Sequence, residues 1–216
     1  MDRPLVAASG DPISPSRSPL PVPERIGLYG GTFDPVHHGH LILARDAAEQ
    51  LMLDRVLFIP AAVSPHRTDL PPTATQAQRL AMLQLAVAAE PRFLVDECEL
   101  HRPEPSYTFD TVKQVESQYP GARLYLLLGA DQLPRFPTWH RFMELRTIIT
   151  FVVFNRAIGA EEVLTAAYPT LRRRLDISAT ELRKRVASGL SIRYLVPGAV
   201  ADYIDKHQLY REVTQP

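Results

Sequence analysis

Cysteine is nearly missing: Cys98 is the only one in a chain of 216 residues. An internal disulfide is therefore excluded, and a reducing compartment is favoured. Cys98 sits in Phe93-Leu94-Val95-Asp96-Glu97-Cys98-Glu99-Leu100, which reads as a strand, and its acidic neighbours argue for a buried structural thiol rather than a catalytic one. An excess of one charge is absent too. Lys+Arg and Asp+Glu number 24 each, for a formal net charge of +0, which argues against nucleic-acid or membrane-surface binding through bulk charge. Nowhere do about eighteen apolar residues run together as a membrane span needs, and no apolar core marks a signal peptide. The expectation is a cytoplasmic protein of ordinary globular composition, 45% hydrophobic and 22% charged. That length has room for one sizeable core.

Proline, by contrast, is crowded into the beginning. Pro4, Pro12, Pro15, Pro19, Pro21 and Pro23, with serines between them, cannot build a helix or a strand ladder, so residues 1–24 are expected to be a disordered tail. Residues 25–216 are expected to form one domain, with 177–216 as a small helical subdomain.

Its chemistry concentrates in Gly30-Gly31-Thr32-Phe33-Asp34-Pro35-Val36-His37-His38-Gly39-His40. The apolar run Arg25–Tyr29 before it reads as a buried strand and Leu41–Leu51 after it as a helix, so the stretch is a strand-to-helix turn. Adjacent glycines allow close backbone approach to a ligand, and the N–H groups of a helix start attract an anion. His37 and His40, three residues apart, should project from one face with rings roughly 5–6 Å apart and donate to phosphoryl oxygens. A phosphate cradle results, but it has neither the Gly-Lys-Ser/Thr of a P-loop nor the spacing of a dinucleotide fingerprint.

Arg55–Pro60 is a second short apolar run, and strand, helix, strand at this spacing predicts a parallel α/β sheet with right-handed crossovers. The loop from Ala61 to Pro72 then lies on the ligand side, where Ser64-Pro65-His66-Arg67 holds two potential cations and reads equally as an exposed basic loop. Leu80, Leu83, Leu85 and Val87 mark a scaffold helix over Gln76–Ala89; Ser106 or Thr108 is a plausible N-cap for another helix, and spacing alone gives Tyr107-Thr108 a capping and packing role. Ala122–Asp131 is a buried strand ending in Gly129, which permits close approach, and Asp131, which suits ribose hydroxyls or the N-cap of the next short helix. The only tryptophan, Trp139, follows in a proline-flanked loop; Ile148–Phe154 is the next strand, and Arg156 stands just past its end. A second constellation is Ile177-Ser178-Ala179-Thr180-Glu181-Leu182-Arg183. Ser178 and Glu181 have capping-box spacing, and Thr180 and Arg183 share a face beside the open helix start, where they can meet a polyphosphate. That helix should end near Ser188-Gly189, and Pro197-Gly198 opens a last one; Arg172-Arg173-Arg174 reads as a solvated face.

Gly-Thr-Phe-Asp-Pro-x-His-x-Gly-His over 31–40 resembles the signature of the nucleotidyltransferases with a His-x-x-His pair, and Ile-Ser-x-Thr-x-x-Arg over 177–183 resembles their second signature. Within them the chain is most similar, over about Arg25 to Tyr210, to the bacterial nicotinate-nucleotide adenylyltransferases of NAD biosynthesis. The resemblance implies a Rossmann-like doubly wound parallel sheet with a small C-terminal helical appendage, and adenylyl transfer from ATP to nicotinate mononucleotide, with release of pyrophosphate. Its catalytic residues would be His37, His40 and Arg183; Gly30, Gly31, Thr32, Phe33, Gly129, Asp131, Ile177, Ser178, Thr180 and Arg183 would bind ATP. On the acceptor side it implies His66, Arg67, Tyr107, Thr108, Trp139 and Arg156, with Tyr107-Thr108 and Trp139 around the pyridine ring. Mg²⁺ is expected to arrive with ATP, since no carboxylate cluster marks a protein-built metal site. Nicotinamide mononucleotide or phosphopantetheine as acceptor, or a nucleotide-binding regulator, are the alternatives; a homo-oligomer stays open. One departure bears on the regulator reading. Ala157-Ile158-Gly159 replaces the family's Pro-Gly, so the final strand is expected to be missing or reduced to Arg174-Leu175-Asp176.

Overall fold

The computed structural model describes residues 24–62, 73–103, 105–155 and 168–211. Its organising strand, β1 (Arg25–Gly31), runs through both glycines of the cradle instead of stopping at Tyr29. Gly30 and Gly31 are still in register with Ile59 and Pro60 of β2 (Arg55–Pro60). Hydrogen-bonded pairing therefore carries the backbone straight to the point where it must turn. With β3 (Phe93–Val95), β4 (Arg123–Gly129), β5 (Thr150–Asn155) and β6 (Thr170–Arg172), these strands form a six-stranded sheet of order β3-β2-β1-β4-β5-β6. All its pairings are parallel. The chain winds outward from β1 in one direction and from β4 in the other, so the crevice at the C-terminal ends of β1 and β4 is the topological switch point where such sheets bind ligands.

Both sheet faces are covered, which explains the nearly unbroken apolar runs. Tyr29, Phe58, Tyr125, Leu127, Val152 and Phe154 meet α1 (His38–Gln50), α2 (Gln76–Val87), α5 (Ala179–Ala187) and α6 (Gly198–Lys206) in one core. The opposite residues, including Ile26, Leu28, Leu57, Leu126 and Val153, meet α3 (Thr108–Gln118), a 3₁₀ segment over Ala130–Thr138 and α4 (Phe142–Ile148). The doubly wound architecture is thus present, with α5 and α6 packed on the α1 face.

Local expectations hold at several helix ends. Thr75 and Gln78 make a reciprocal capping box at α2, and Ser178 Oγ accepts from Glu181 N at 3.2 Å at the start of α5. Elsewhere tertiary packing overrides them. The N-cap of α3 is Tyr107, not Ser106 or Thr108, because buried Ser106 is engaged by Arg102 Nη1 at 3.2 Å. The 3₁₀ segment is capped by Gly129 with Asp131 inside its first turn, so Asp131 is not its N-cap. Ile148 belongs to α4, not to β5. Cys98 lies beyond β3 rather than within it, since the strand ends at Val95; it is buried, and burial pushes its thiol up to about 12.

The sixth strand is present after all. Thr170–Arg172 pairs with Val153–Asn155 through the register Val153↔Thr170, Phe154↔Leu171 and Asn155↔Arg172. Leu171 is buried while Arg174 and Asp176 are exposed; each segment has a central leucine, and Leu175 packs half-buried against the same core beyond the strand. Arg173 leaves the solvated run to hold Asp46 of α1 through two hydrogen bonds, at 2.8 and 3.0 Å.

Candidate active site

The cradle is built by residues in unusual backbone and by absent side chains. Phe33 has φ 50°, a region costly for a bulky residue. It turns its ring back over the strand end: a Cβ at Gly31 would lie 2.9 Å from that ring, whereas one at Gly30 would meet nothing within 4 Å. Gly31 is therefore required by packing, and Gly30 leaves the strand end open. His37 is the N-cap of α1, and its backbone N–H donates to His40 Nδ1 at 3.2 Å. That bond makes Nδ1 the acceptor of the His40 ring, so its N–H is on Nε2. The two imidazoles stack with centroids 3.7 Å apart and planes at 26°, closer than the expected 5–6 Å because the cap folds His37 over the first turn. Gly39 makes this arrangement feasible: a Cβ there would stand 2.9 Å from His37 Nδ1.

Asp34 joins the cradle to the rest of the molecule. Its carboxylate, 4% exposed, accepts from Thr73 N at 2.8 Å, Ala74 N at 3.1 Å and the Tyr210 hydroxyl at 2.7 Å. Arg183 of α5 donates Nη1 to the Asp34 carbonyl at 2.7 Å, with the carboxylate at 3.9 Å, and donates Nη2 to Thr180 Oγ1 at 3.4 Å. The two signatures thus converge on one turn. Beneath them Arg79, 1% exposed, donates to the carbonyls of Thr32 at 2.8 Å and Ala62 at 3.5 Å. Burial lowers its pKa and the nearby Asp34 opposes that shift; burial and Asp34 together raise the Tyr210 hydroxyl above its ordinary value.

Ile177 lies beside the cradle, its Cβ 3.6 Å from where a Gly39 Cβ would be, while Ser178 and Thr180 are exposed at the start of α5. Gly129 ends β4 and Asp131 is exposed just past it, bonded by Gln132 Nε2 at 2.7 Å. On the other side of the crevice Tyr107 stacks on exposed His140, with centroids 4.4 Å apart, and Thr108 opens α3. Half-buried Trp139 sets its ring edge to face with Phe136, with centroids 5.0 Å apart. His66, Arg67 and Arg156 lie outside the described residues.

Asp34, Arg79 and Tyr210 were not singled out by sequence reasoning. For Arg79 a signal existed: the buried face of α2 is Arg79, Met82, Leu83 and Val87, with Leu80 half-buried and Leu85 exposed, so a guanidinium occupies an apolar stripe. Among the described residues no group of three or more His, Cys, Asp or Glu stands together to hold a metal. Asp34, the cradle's carboxylate, is engaged by three donors.

A cytidylyltransferase-like family model matches residues 28–185. A probable nicotinate-nucleotide adenylyltransferase of Thermus thermophilus is 45% identical over 188 residues, covering 87% of this chain and 100% of that protein. One from Geobacillus thermodenitrificans is 41% identical over 189 residues, covering 86% of each. Among solved structures, the Plasmodium falciparum nicotinic acid mononucleotide adenylyltransferase complexed with NaAD superposes with a TM-score of 0.71 at 20% identity, over 87% of this chain and 97% of that one. At that identity the likeness speaks for the fold.

Proposed function

The chain belongs to the cytidylyltransferase-like family and, within it, to the nicotinate-nucleotide adenylyltransferases, and from that premise we propose how its own residues carry the reaction. It transfers the adenylyl group of ATP to nicotinate mononucleotide, giving deamido-NAD and pyrophosphate for NAD biosynthesis. An oxygen of the acceptor's phosphate attacks the α-phosphorus in line, and the bond to the bridging oxygen of the β-phosphate breaks. No side chain serves as nucleophile, so the protein's work is alignment and stabilisation of the charge that gathers on the reacting phosphates.

The observation that carries this reading is the reach of Arg183 to the Asp34 carbonyl, which sets a guanidinium and Thr180 beside the paired imidazoles. His40, with its N–H on Nε2, donates to the α-phosphoryl oxygen, and the buried His37 stacked on it fixes the ring. Thr180 and Arg183, with the N–H groups at the start of α5, hold the β- and γ-phosphates and the departing pyrophosphate. Thr32, Phe33, Gly30 and Gly31 line the triphosphate's bed, Ile177 and Ser178 border it, and Gly129 and Asp131 receive the ribose side. Tyr107, Thr108 and Trp139 receive the acceptor, together with His66, Arg67 and Arg156. Mg²⁺ would arrive with ATP as part of the substrate and would offset the charge of its phosphates. The ground for a regulator without turnover, a missing sheet edge, is removed by β6.

Among the described residues no helix is long and apolar enough to cross a membrane. A cytoplasmic setting is part of the proposal, supported by the single cysteine.

The test is a one-pot incubation of purified protein with ATP, Mg²⁺ and, in separate arms, nicotinate mononucleotide, nicotinamide mononucleotide and phosphopantetheine, read by mass spectrometry. Deamido-NAD and pyrophosphate are expected in the first arm. Preferential transfer in either other arm, or ATP binding without product in all of them, overturns the assignment.

A further inference from the structure

Two bulky aromatic residues adopt left-handed backbone around one carboxylate. Phe33, immediately before Asp34, has φ 50°, and Tyr210, whose hydroxyl donates to Asp34 Oδ1 at 2.7 Å, has φ 60°. Such conformations are uphill for large side chains and persist where the surroundings over-determine them. What they hold here is a buried contact: Tyr210 is 8% exposed and Asp34 4%. The carbonyl of the same Asp34 receives Arg183 Nη1 at 2.7 Å. Tyr210 and Arg183 also line a groove of about 270 Å³ with Thr73, Lys184, Ala187 and Arg211. A hydroxyl near the end of the described chain, a carboxylate in the cradle and a guanidinium on α5 thus stand in series.

Resting on the adenylyltransferase reading, we propose that Tyr210 is a positioning residue: its hydroxyl fixes the Asp34 peptide, and the Asp34 carbonyl in turn aims Arg183 at the leaving pyrophosphate. Packing alone does not require the hydroxyl, because a phenylalanine ring would fill the same place in the core that joins Tyr210 to Val200, Ile204 and Leu209. Only the O–H addresses Asp34. Without it Oδ1 keeps a single donor, Ala74 N at 3.1 Å, and Oδ2 keeps Thr73 N at 2.8 Å. The carboxylate then gains freedom to turn, and the peptide that receives Arg183 turns with it. Burial and the neighbouring carboxylate favour the protonated hydroxyl, so it stays a donor at ordinary assay pH.

Steady-state kinetics of Tyr210→Phe, alone and combined with Arg183→Lys, tests this, with thermal unfolding followed so that assays run well below the transition. Alone, Tyr210→Phe is expected to lower kcat roughly ten-fold, the loss of one hydrogen bond to a charged group, with KM for nicotinate mononucleotide within about two-fold of the parent. In the Arg183→Lys background the same change should cost less than about two-fold, because its effect runs through the guanidinium. A kcat for Tyr210→Phe near that of the parent, or an undiminished ten-fold loss in the Arg183→Lys background, overturns the proposal. If the parent protein transfers nothing to nicotinate mononucleotide, the enzymatic reading itself has failed, and calorimetric ATP binding then decides. Weaker binding by Tyr210→Phe upholds the positioning role, and equal binding ends it.

Discussion

At the proposed phosphate end of the site the contacts centre on the buried Asp34 and Arg79: Asp34 accepts from two backbone amides and a phenol, and Arg79 and the half-buried Arg183 donate to carbonyls of the cradle. At the proposed acceptor end Tyr107 lies on the exposed His140, Trp139 on Phe136, and the Arg141 guanidinium stands 3.9 Å over Phe109 while pairing with Glu144. Hydrogen bonds of a charged group to backbone and hydroxyl partners fix angles as well as distances, and an in-line displacement needs both. Stacked rings hold a plane but tolerate sliding. On the proposed assignment the contrast teaches that alignment at phosphorus is set in advance, while the acceptor end has the latitude in which substrate choice can be adjusted.

The largest expected effect sharpens the first half of that contrast. His40→Ala should lower kcat by roughly 10²–10³, the loss of a transition-state donor, measured as pyrophosphate release at saturating substrates; activity within about three-fold of the parent would remove His40 from that role. Next comes Asp34→Ala, which strands two amides and leaves the buried Arg79 without its countercharge. A stability loss of about 3 kcal/mol is expected in urea unfolding, and a shift near zero would mean that Asp34 does not bind the ends of the chain together. On the acceptor side the effect should be smaller and confined to one substrate. Tyr107→Ala should raise KM for nicotinate mononucleotide about three- to ten-fold, in line with one ring-stacking contact, with KM for ATP unchanged. A matching rise in both KM values would erase the distinction between the two ends.

The smallest effect is one of pH. The Cys98 thiol is raised from 9.0 to about 12 by burial, and the Tyr210 hydroxyl is raised above 10.0 by burial and Asp34. Both groups are neutral when protonated and resist ionisation in the folded chain. Their contribution to stability is therefore full below pH 9 and declines as the unfolded chain's thiol and phenol ionise, through the alkaline range. The urea midpoint should fall from pH 9 upward, less steeply in Cys98→Ala; a flat profile to pH 11 would contradict the burial of both groups.

Much of the fold was legible because its signals are local. Short β-branched runs separated by helical stretches implied a parallel sheet, and Ser178 with Glu181 marked the start of α5. The histidine pair marked the start of α1 for the same reason, since cap, glycine and second ring lie within one turn. What failed depended on competition between distant parts. The sheet edge is Thr170–Arg172, paired with Val153–Asn155, and not Arg174–Asp176, though each segment centres on a leucine, and Ser106 gave up a cap to a guanidinium four residues away.

The sequence by itself determined the order of the elements and supplied the imidazoles, hydroxyl and guanidinium at helix starts, because backbone periodicity and capping act over a few residues. Only the tertiary structure decided that Arg183 meets the Asp34 carbonyl across 149 positions and Tyr210 the Asp34 carboxylate across 176. Contacts of that separation exist only once both cores have closed on the sheet, since a buried carboxylate is stable solely where the folded chain brings it donors.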